Sequence, residues 1–279
     1  MPSATDDVQR VFSFLRVNQR EAKPRSLGLT EIRGPYYTPL GKRYLQDILE
    51  TMGQYIDGLK FAGGAFVLMP KKALRELIDL CHSHDVYVST GGFIETVLTQ
   101  GSEAVHCYLR ECHDLGFNVV EVSSGFITVP PDDLVRLVEE VLKVGLKAKP
   151  EVGIQFGSGG ASPIAELEAH RQRIVGLAIG QARRYFDAGA HMVMIESEGI
   201  TENVREWRTD VIAEIVLGLG TERVMFEAAD PDVFTNYIKD YGPEVNLFVD
   251  HSQIVQLECL RSGVWGTNDL WGRVLTYKG

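Results

Sequence analysis

Short β-rich runs alternate with amphipathic helical windows along most of this chain, and no other feature constrains the fold as strongly. Several helical windows begin at Pro or Asp and end at Gly, as in PPDDLVRLVEEVLKVG at residues 130–145. Eight strand–helix units favour an α/β fold, a (β/α)8 TIM barrel, over an open doubly wound sheet of similar strand number. The predicted strands are 27–34, 57–64, 86–92, 118–125, 146–153, 191–198, 223–229 and 245–251.

The chain shows no linker or composition shift that would divide it. We therefore expect one barrel domain over residues 27–279, preceded by an N-terminal arm over residues 1–26 with a helix around 6–16. The arm has no apolar core of signal-peptide length, and no apolar run approaches the roughly 20 residues that span a membrane. The four cysteines show no CxxC spacing. These features predict a reduced, cytoplasmic protein with no membrane partner.

The net charge of -10 bears on the partners that the protein can bind. A non-specific nucleic-acid binder needs a broad basic face to displace counterions, so no nucleic-acid partner is expected. An acidic chain can still bind a small anion, because a few lysines inside a cleft reverse the local potential. Helix-covered barrels often associate, and a homo-oligomer is therefore expected.

Alternate residues of the predicted strands are too polar for an ordinary barrel interior. In the fifth strand Leu146, Ala148 and Pro150 would pack under the helices, which turns Lys147, Lys149 and Glu151 inward. The same rule turns a mixed set inward from the other strands, namely Glu31, Arg33, Lys60, Ser89, Glu121, Ser123, Met194, Glu196, Met225, Glu227, Asn246, Phe248 and Asp250.

Most of these polar residues come late in their strands, at the face where barrel enzymes place their active sites. Barrel interiors are normally filled by branched aliphatic residues, and an unpaired buried charge costs several kcal/mol. For any single residue a buried ion pair or a wet position at the rim is an equally good account. The whole group of carboxylates and cations predicts a functional cleft.

Clustered carboxylates beside cations indicate metal-assisted chemistry on a small anionic substrate. Glutamate and aspartate oxygens suit Mg²⁺, which takes one or two carboxylates and keeps positions for water and substrate oxygens. The predicted metal ligands are Glu121, Glu151, Glu196, Glu227 and Asp250, and the predicted catalytic cations are Lys60, Lys147 and Lys149. The residues expected to bind substrate include Arg33, Ser89, Ser123, Asn246 and His251, although His251 could equally cap the following helix.

The glycine-rich run GSGGASP at residues 157–163 follows the fifth strand. It lacks the GK[ST] of a P-loop, so it is not expected to cradle phosphate. A mobile lid over the barrel mouth and an ordinary surface loop are both compatible with it.

Seven short motifs in register resemble the phosphosulfolactate synthase family, over residues 25 to 268. They are DGLKFAGG, STGG, VVEVSSG, PEVG, MFEAA, YGPEVNLFVD and LECLRSGVWG. The resemblance implies a (β/α)8 barrel and a Mg²⁺-dependent enzyme that adds sulfite to phosphoenolpyruvate. The segments KPRSLGLTEIRGPYY, DVYVSTGG and VNLFVDHSQIVQLECLR are similar to a divergent branch, the plant heat-stress-associated proteins and their microbial relatives.

Carried over by position, the resemblance implies roles for individual residues. They are Lys60 after the second strand, the turn Gly91 and Gly92 as substrate-binding glycines, Glu121, Glu151 and Glu227 at strand ends, and Asn246 in the eighth strand.

The chain departs from the family pattern at three places. It has EIRGPYY in place of Asp-Lys-Gly, Ile154 and Gln155 in place of a lysine, and ESEGITEN where the family carries an arginine. Lys147 and Lys149 could partly replace that missing cation.

Two functions are compatible with these residues. The first is a lyase of the phosphosulfolactate synthase type, adding sulfite or a related nucleophile to phosphoenolpyruvate or a similar phosphorylated or carboxylated acid. The second is a non-catalytic barrel that acts as a stress-related binding or protein-protective factor, as the resemblance to the plant branch implies.

Overall fold

The computed structural model describes residues 10–154, 173–265 and 274–277. Parallel strands close into a barrel in chain order, with β8 pairing back to β1, so the TIM-barrel prediction is confirmed and the open-sheet alternative is wrong. The strands are β1 (Thr30–Arg33), β2 (Gly58–Lys60), β3 (Tyr87–Ser89), β4 (Val119–Val122), β5 (Lys147–Val152), β6 (Val193–Ile195), β7 (Val224–Glu227) and β8 (Asn246–Asp250).

Helices cover the outside of the barrel, and their apolar stripes explain where they form. Pro131 starts one of them, Asp132 and Asp133 lie in its first turn, and its buried residues recur at helical spacing. The helices are α1 (Lys42–Met52), α2 (Lys71–Ser83), α3 (Ile94–Leu98), α4 (Ser102–Leu115), α5 (Pro131–Lys143), α6 (Arg173–Asp187), α7 (Thr209–Leu219), α8 (Pro231–Tyr241) and α9 (Ile254–Arg261).

The two faces of each strand have different environments. Wall residues such as Ile32, Leu59 and Val120 pack with the buried helix residues in the main hydrophobic core. Inside the barrel, Met194, Met225 and Phe248 belong to a separate small apolar cluster. Alternation along each strand therefore separates a helix-facing core from the barrel interior, as the sequence predicted.

The described part of the N-terminal arm closes the end of the barrel at which the strands begin. Arg25 Nε lies 2.9 Å from Asp57 Oδ1, and the other oxygen of Asp57 accepts from Thr30 N at 2.8 Å. Asn18 Nδ2 donates to Arg261 O at 3.0 Å. The arm is thus attached to Asp57, which precedes β2, and to the end of α9.

The expected helix around residues 6–16 has no counterpart over residues 10–16, where the chain forms a turn. Phe12 has a φ of 54°, a left-handed conformation that interrupts a right-handed helix. Residues 6–9 lie outside the described residues, as do Gln155 and the run at 157–163. In the part of the chain that is described, no helix combines the length and the apolar character needed to cross a membrane.

Candidate active site

A cavity of about 690 Å³ opens where the strands end, and we call it the mouth cavity. The residues that end β1, β2 and β7 line it, together with the loops that follow the strands. Nine of the predicted site residues line this cavity: Arg33, Lys60, Gly91, Gly92, Glu121, Ser123, Glu151, Glu196 and Glu227.

Lys60 and Glu121 form a buried ion pair at the base of the mouth cavity. Lys60 Nζ donates to Glu121 Oε1 at 2.8 Å and lies 4.2 Å from the centroid of the Phe248 ring. Burial acts to lower the pKa of Lys60, but the carboxylates of Glu121, Glu227 and Glu151 outweigh it and raise that pKa. Lys60 is therefore a stable ammonium group and not a general base at neutral pH.

Beneath this pair, Lys149 occupies the barrel interior and does not line the cavity. Its Nζ lies 2.6 Å and 2.7 Å from the two carboxylate oxygens of Glu31, and 3.3 Å from Glu121 Oε2. Tyr87 Oη donates to Glu31 Oε2 at 2.7 Å. Four residues carry charges of alternating sign from the barrel interior to the cavity. We call them, together with the tyrosine that donates to the first, the interior charge line: Tyr87, Glu31, Lys149, Glu121 and Lys60.

Glu121 is held as an anion by this arrangement. Burial acts to raise the pKa of Glu121, whereas the charges of Lys60 and Lys149 lower it and prevail. Two ammonium groups already compensate this carboxylate, which argues against its predicted role as a metal ligand.

Arg33 is the second cation of the mouth cavity. Its Nη2 lies 3.0 Å from Glu227 Oε1, and its Nη1 donates to Tyr37 Oη at 3.3 Å. The guanidinium carbon also lies 5.2 Å from the centroid of the Phe248 ring. Arg33 Nε is buried without a hydrogen-bond partner. An unpaired buried N–H of a charged group is a site that an anionic ligand can satisfy.

Glu151 and Glu196 face each other on β5 and on the loop after β6. Their side chains hydrogen-bond to one another. Burial raises the pKa of Glu151 to about 7, and the charges of Glu121 and Glu227 act in the same direction. Burial and then the charge of Glu151 raise the pKa of Glu196. Two carboxylates this close do not both stay ionised without a proton or a cation between them.

The glycine turn after β3 makes room for the neighbouring strands. Gly91 has a φ of 60°, and a Cβ atom there would lie 2.9 Å from the carbonyl oxygen of Phe61. At Gly92 a Cβ atom would lie 2.5 Å from Ser123 Oγ. Ser89 is buried beneath the turn, where its hydroxyl is 3.5 Å from Gly91 N, and does not line the cavity.

Glu95 is a cavity residue that the sequence did not reveal. It lies on α3 and is 7% exposed. Its carboxylate accepts from Ser123 Oγ, from Gly125 N at 2.9 Å and from Phe126 N at 2.7 Å, so it holds the loop after β4. The rule of strand alternation could not find Glu95, because this residue lies on a helix and not on a strand. The available signal was an acidic residue in the otherwise uncharged, largely apolar segment FIETV.

Lys147 was predicted to point into the site, and the structure contradicts this prediction. It is exposed and begins β5, paired in register with Val119, the first residue of β4. Burial and then the charge of Lys147 lower the pKa of His191, which precedes β6. Lys147 therefore lies at the opposite end of the barrel, and it cannot replace a cation at the mouth.

Asn246 was also predicted to bind substrate, but it begins β8 at the closed end. It is fully buried, its Oδ1 accepts from Leu29 N at 2.8 Å, and its Nδ2 donates to the carbonyls of Thr221, Glu222 and Val224. Those bonds join the starts of β1, β7 and β8, which is a structural role.

Replacement of Asn246 by Ala is expected to destabilise the protein by about 2–3 kcal/mol, because buried backbone groups lose their partners. Because Asn246 does not line the mouth cavity, the substitution should leave the affinity of that cavity for a small anion such as inorganic phosphate unchanged. Denaturant unfolding and calorimetry measure the two effects. A weaker affinity at unchanged stability would restore the predicted role in substrate binding.

Asp250 ends β8 and His251 follows it, and neither residue belongs to the described cavity lining. Asp250 Oδ1 accepts from Ser252 N at 3.0 Å and forms a capping box with Gln253. His251 Nδ1 lies 3.1 Å from Arg33 O, and its ring packs edge-on against Tyr44. The predicted metal role of Asp250 is therefore not supported, and the capping of the next helix is performed by Asp250.

Two of the departures from the family pattern, at Ile154 and in the ESEGITEN segment, add no positive charge to the mouth cavity. Ile154 is buried in the main apolar core and supplies no charge. The ESEGITEN segment contributes Glu196, Glu198 and Glu202 to the cavity lining. Within the described lining, the cations are Lys60 and Arg33.

The chain is similar to known proteins over most of its length. The family model of (2R)-phospho-3-sulfolactate synthase (ComA) matches residues 18–267. Protein HEAT-STRESS-ASSOCIATED 32 of Arabidopsis thaliana is 40% identical over 259 residues, which are 89% of this chain and 91% of that protein. The phosphosulfolactate synthase of Methanothermobacter thermautotrophicus is 27% identical, over 94% of this chain and 98% of its own length.

Solved structures support the fold alone. A 2,3-dimethylmalate lyase has a TM-score of 0.50 at 11% identity, covering 82% of this chain and 76% of its own. The 4-hydroxy-tetrahydrodipicolinate synthase of Methylacidiphilum fumariolicum has a TM-score of 0.51 at 15% identity, and the match covers 84% of this chain and 70% of that synthase. The family match spans nearly all of the barrel, and six of the seven predicted family motifs contribute residues to the mouth cavity. The chain belongs to the phosphosulfolactate synthase family.

Proposed function

We propose that the protein is a lyase of the phosphosulfolactate synthase type, which binds a small phosphorylated or carboxylated acid in the mouth cavity and adds sulfite or a related nucleophile to it. The observation that carries this proposal is the pairing of two buried cations, Lys60 and Arg33, with a carboxylate cluster at the base of one cavity. Such a site stabilises negative charge that develops on a bound acid.

The proposed reaction adds bisulfite to phosphoenolpyruvate. The sulfur lone pair forms a carbon–sulfur bond at the methylene carbon as the carbon–carbon π bond breaks, and the proton given up by bisulfite passes through solvent to the carbon that bears the phosphate. Negative charge moves onto the substrate carboxylate as the nucleophile attacks. Lys60 and Arg33 would hold the phosphate or carboxylate and stabilise this charge, because they are the cations of the described cavity lining. The raised pKa of Lys60 suits a fixed cation better than a proton donor or base.

Glu151 and Glu196 are the residues best suited to hold Mg²⁺. Within the described residues, no group of three or more His, Cys, Asp or Glu side chains is placed to hold a metal ion. Mg²⁺ commonly needs only one or two protein carboxylates, with water and substrate oxygens completing the shell. The mutual contact of these two carboxylates fits a shared divalent cation. When bound, the ion would supply further positive charge to the anionic substrate.

The substitution Lys60→Met tests the proposal directly. It should weaken the binding of phosphoenolpyruvate, measured by calorimetry with Mg²⁺ present, by about tenfold or more, because a charge-assisted hydrogen bond contributes about 1.5–3 kcal/mol. Lys147→Met is the matched control, since it removes the same charge from the exposed end of β5. Equal affinities in the two variants would show that the acid does not bind at Lys60.

Turnover is tested separately from binding. Sulfite consumption with phosphoenolpyruvate and Mg²⁺, followed by mass spectrometry of the product, should detect the sulfonated acid. Binding of phosphoenolpyruvate without sulfite consumption would point to a different nucleophile or a related acid.

A second candidate function is a non-catalytic, stress-related binding or protein-protective factor. It is favoured by the 40% identity to the Arabidopsis stress-associated protein, against 26–27% to the phosphosulfolactate synthases. Under this alternative the protein would bind neither Mg²⁺ nor phosphoenolpyruvate, which the same calorimetry decides.

A further inference from the structure

We propose that the natural substrate is larger than a three-carbon acid, and that an aryl or alkyl group on it binds against an aromatic rim above the anion site. We define the aromatic rim as Tyr36, Tyr37 and Phe126. The inference rests on the proposed function, because it assumes that the anionic end of the substrate binds at Lys60 and Arg33.

The rim and the anion site are two levels of the same cavity. Lys60 and Arg33 are 5% and 8% exposed, whereas Tyr36, Tyr37 and Phe126 are 53%, 74% and 78% exposed, and all five residues line the mouth cavity. Charged groups thus form the buried base, and apolar rings form the open upper part. Ligand sites with this division bind molecules that have one polar end and an apolar body.

The two levels are close enough for one small molecule to contact both. The guanidinium carbon of Arg33 lies 5.4 Å from the ring centroid of Tyr36 and 5.4 Å from that of Tyr37. An anion held by Arg33 would therefore direct the rest of its skeleton toward these rings. Phe126 lines the same cavity on the loop after β4, and its backbone N–H donates to the buried carboxylate of Glu95.

The size of the cavity favours a larger ligand as well. A volume of about 690 Å³ falls in the range that encloses drug-sized molecules. Apolar residues continue the lining beyond Phe126, where Ile127, Leu134 and Tyr185 reach the cavity. A three-carbon acid at the base would leave these apolar surfaces in contact with water, whereas an aryl or alkyl group would remove them from it.

Methyl phosphate and phenyl phosphate are matched probes, because they carry the same anionic group and differ only in the apolar part. Calorimetry on the full chain should show that phenyl phosphate binds about tenfold more tightly than methyl phosphate. Phe126→Ala should reduce this ratio by about threefold, and Phe126→Ala combined with Tyr37→Ala should nearly abolish it. The ratio is the readout, because a disturbed Arg33 would weaken both esters alike.

Leu68→Ala is the control, since Leu68 is 88% exposed but does not belong to the cavity lining; it should leave the ratio unchanged. Equal affinities for the two esters in the unmodified protein would overturn the inference and leave anion binding intact. If neither ester bound while phosphoenolpyruvate did, the inference would be overturned and the proposed function would stand; if none of the three bound, both would be overturned. If the ratio of the two ester affinities were unchanged in the double variant Phe126→Ala with Tyr37→Ala, the aromatic rim would be excluded as the cause of the tighter binding of phenyl phosphate.

Discussion

Replacing Lys149 by Met is expected to destabilise the protein by about 3–5 kcal/mol, the cost of leaving a buried charge without its partner. Glu31 is fully buried and would keep only the hydroxyl of Tyr87, while Glu121 would keep only Lys60. Methionine fills nearly the same volume as lysine, so the loss reports charge and not a cavity. Urea unfolding followed by tryptophan fluorescence measures the change in the free energy of unfolding.

The double substitution Glu31→Gln with Lys149→Met is the control for this interpretation. It removes both members of the ion pair, and replacing a buried ion pair by neutral residues is often nearly neutral for stability. It should therefore recover most of the loss caused by Lys149→Met alone. If the single and the double variant were equally unstable, packing and not charge would be the role of Lys149.

Substitution of Gly58 by Ala should destabilise the protein by about 2–3 kcal/mol, because the added methyl group would overpack the barrel interior. A Cβ atom on Gly58 would lie 2.2–2.8 Å from three atoms of the Tyr87 ring. The ring crosses β2 at Gly58 to reach Glu31 on β1, and a shift would break its 2.7 Å hydrogen bond to that carboxylate. Thermal unfolding and a crystal structure of the variant would measure the cost and the displacement.

Gly180→Ala is the matched control for Gly58→Ala. Gly180 lies on an exposed part of α6, and a Cβ atom there would meet nothing within 4 Å. Alanine should stabilise that helix by about 0.5–1 kcal/mol. The two substitutions are thus expected to have opposite signs, and a loss of stability at both positions would contradict the steric explanation.

The fold was largely accessible from the sequence because its signals are local. Strand alternation, helical stripes and helix-end residues repeat along the chain, and all eight predicted strands contain an observed strand with narrower bounds. The N-terminal arm was less accessible. Its helical expectation depended on a weak pattern, and the backbone reverses at Phe12 instead.

The site was predicted less completely, for a different reason. Alternation assigns a side chain to a face, but it does not give the height of that side chain along the barrel axis. Lys147 and Lys149 share the same parity, yet they are about 6.6 Å apart along the strand. This spacing places Lys147 at the exposed end of the barrel and Lys149 inside the interior charge line. The predicted role of Asn246 in substrate binding failed for the same reason, because Asn246 begins its strand and so lies at the end of the barrel away from the mouth cavity.

By itself, the sequence determined that this chain is a barrel of the phosphosulfolactate synthase family with carboxylates and cations in its interior. The strand and helix periodicity predicts the barrel and its inward-facing charges, and the order of the motifs indicates the family. Only the tertiary structure decided which charges compensate each other. Lys149 meets Glu31 across 118 residues of sequence, and Arg33 meets Glu227 across 194. Barrel closure creates these contacts, so they select Lys60 and Arg33 as the cations that face the cavity.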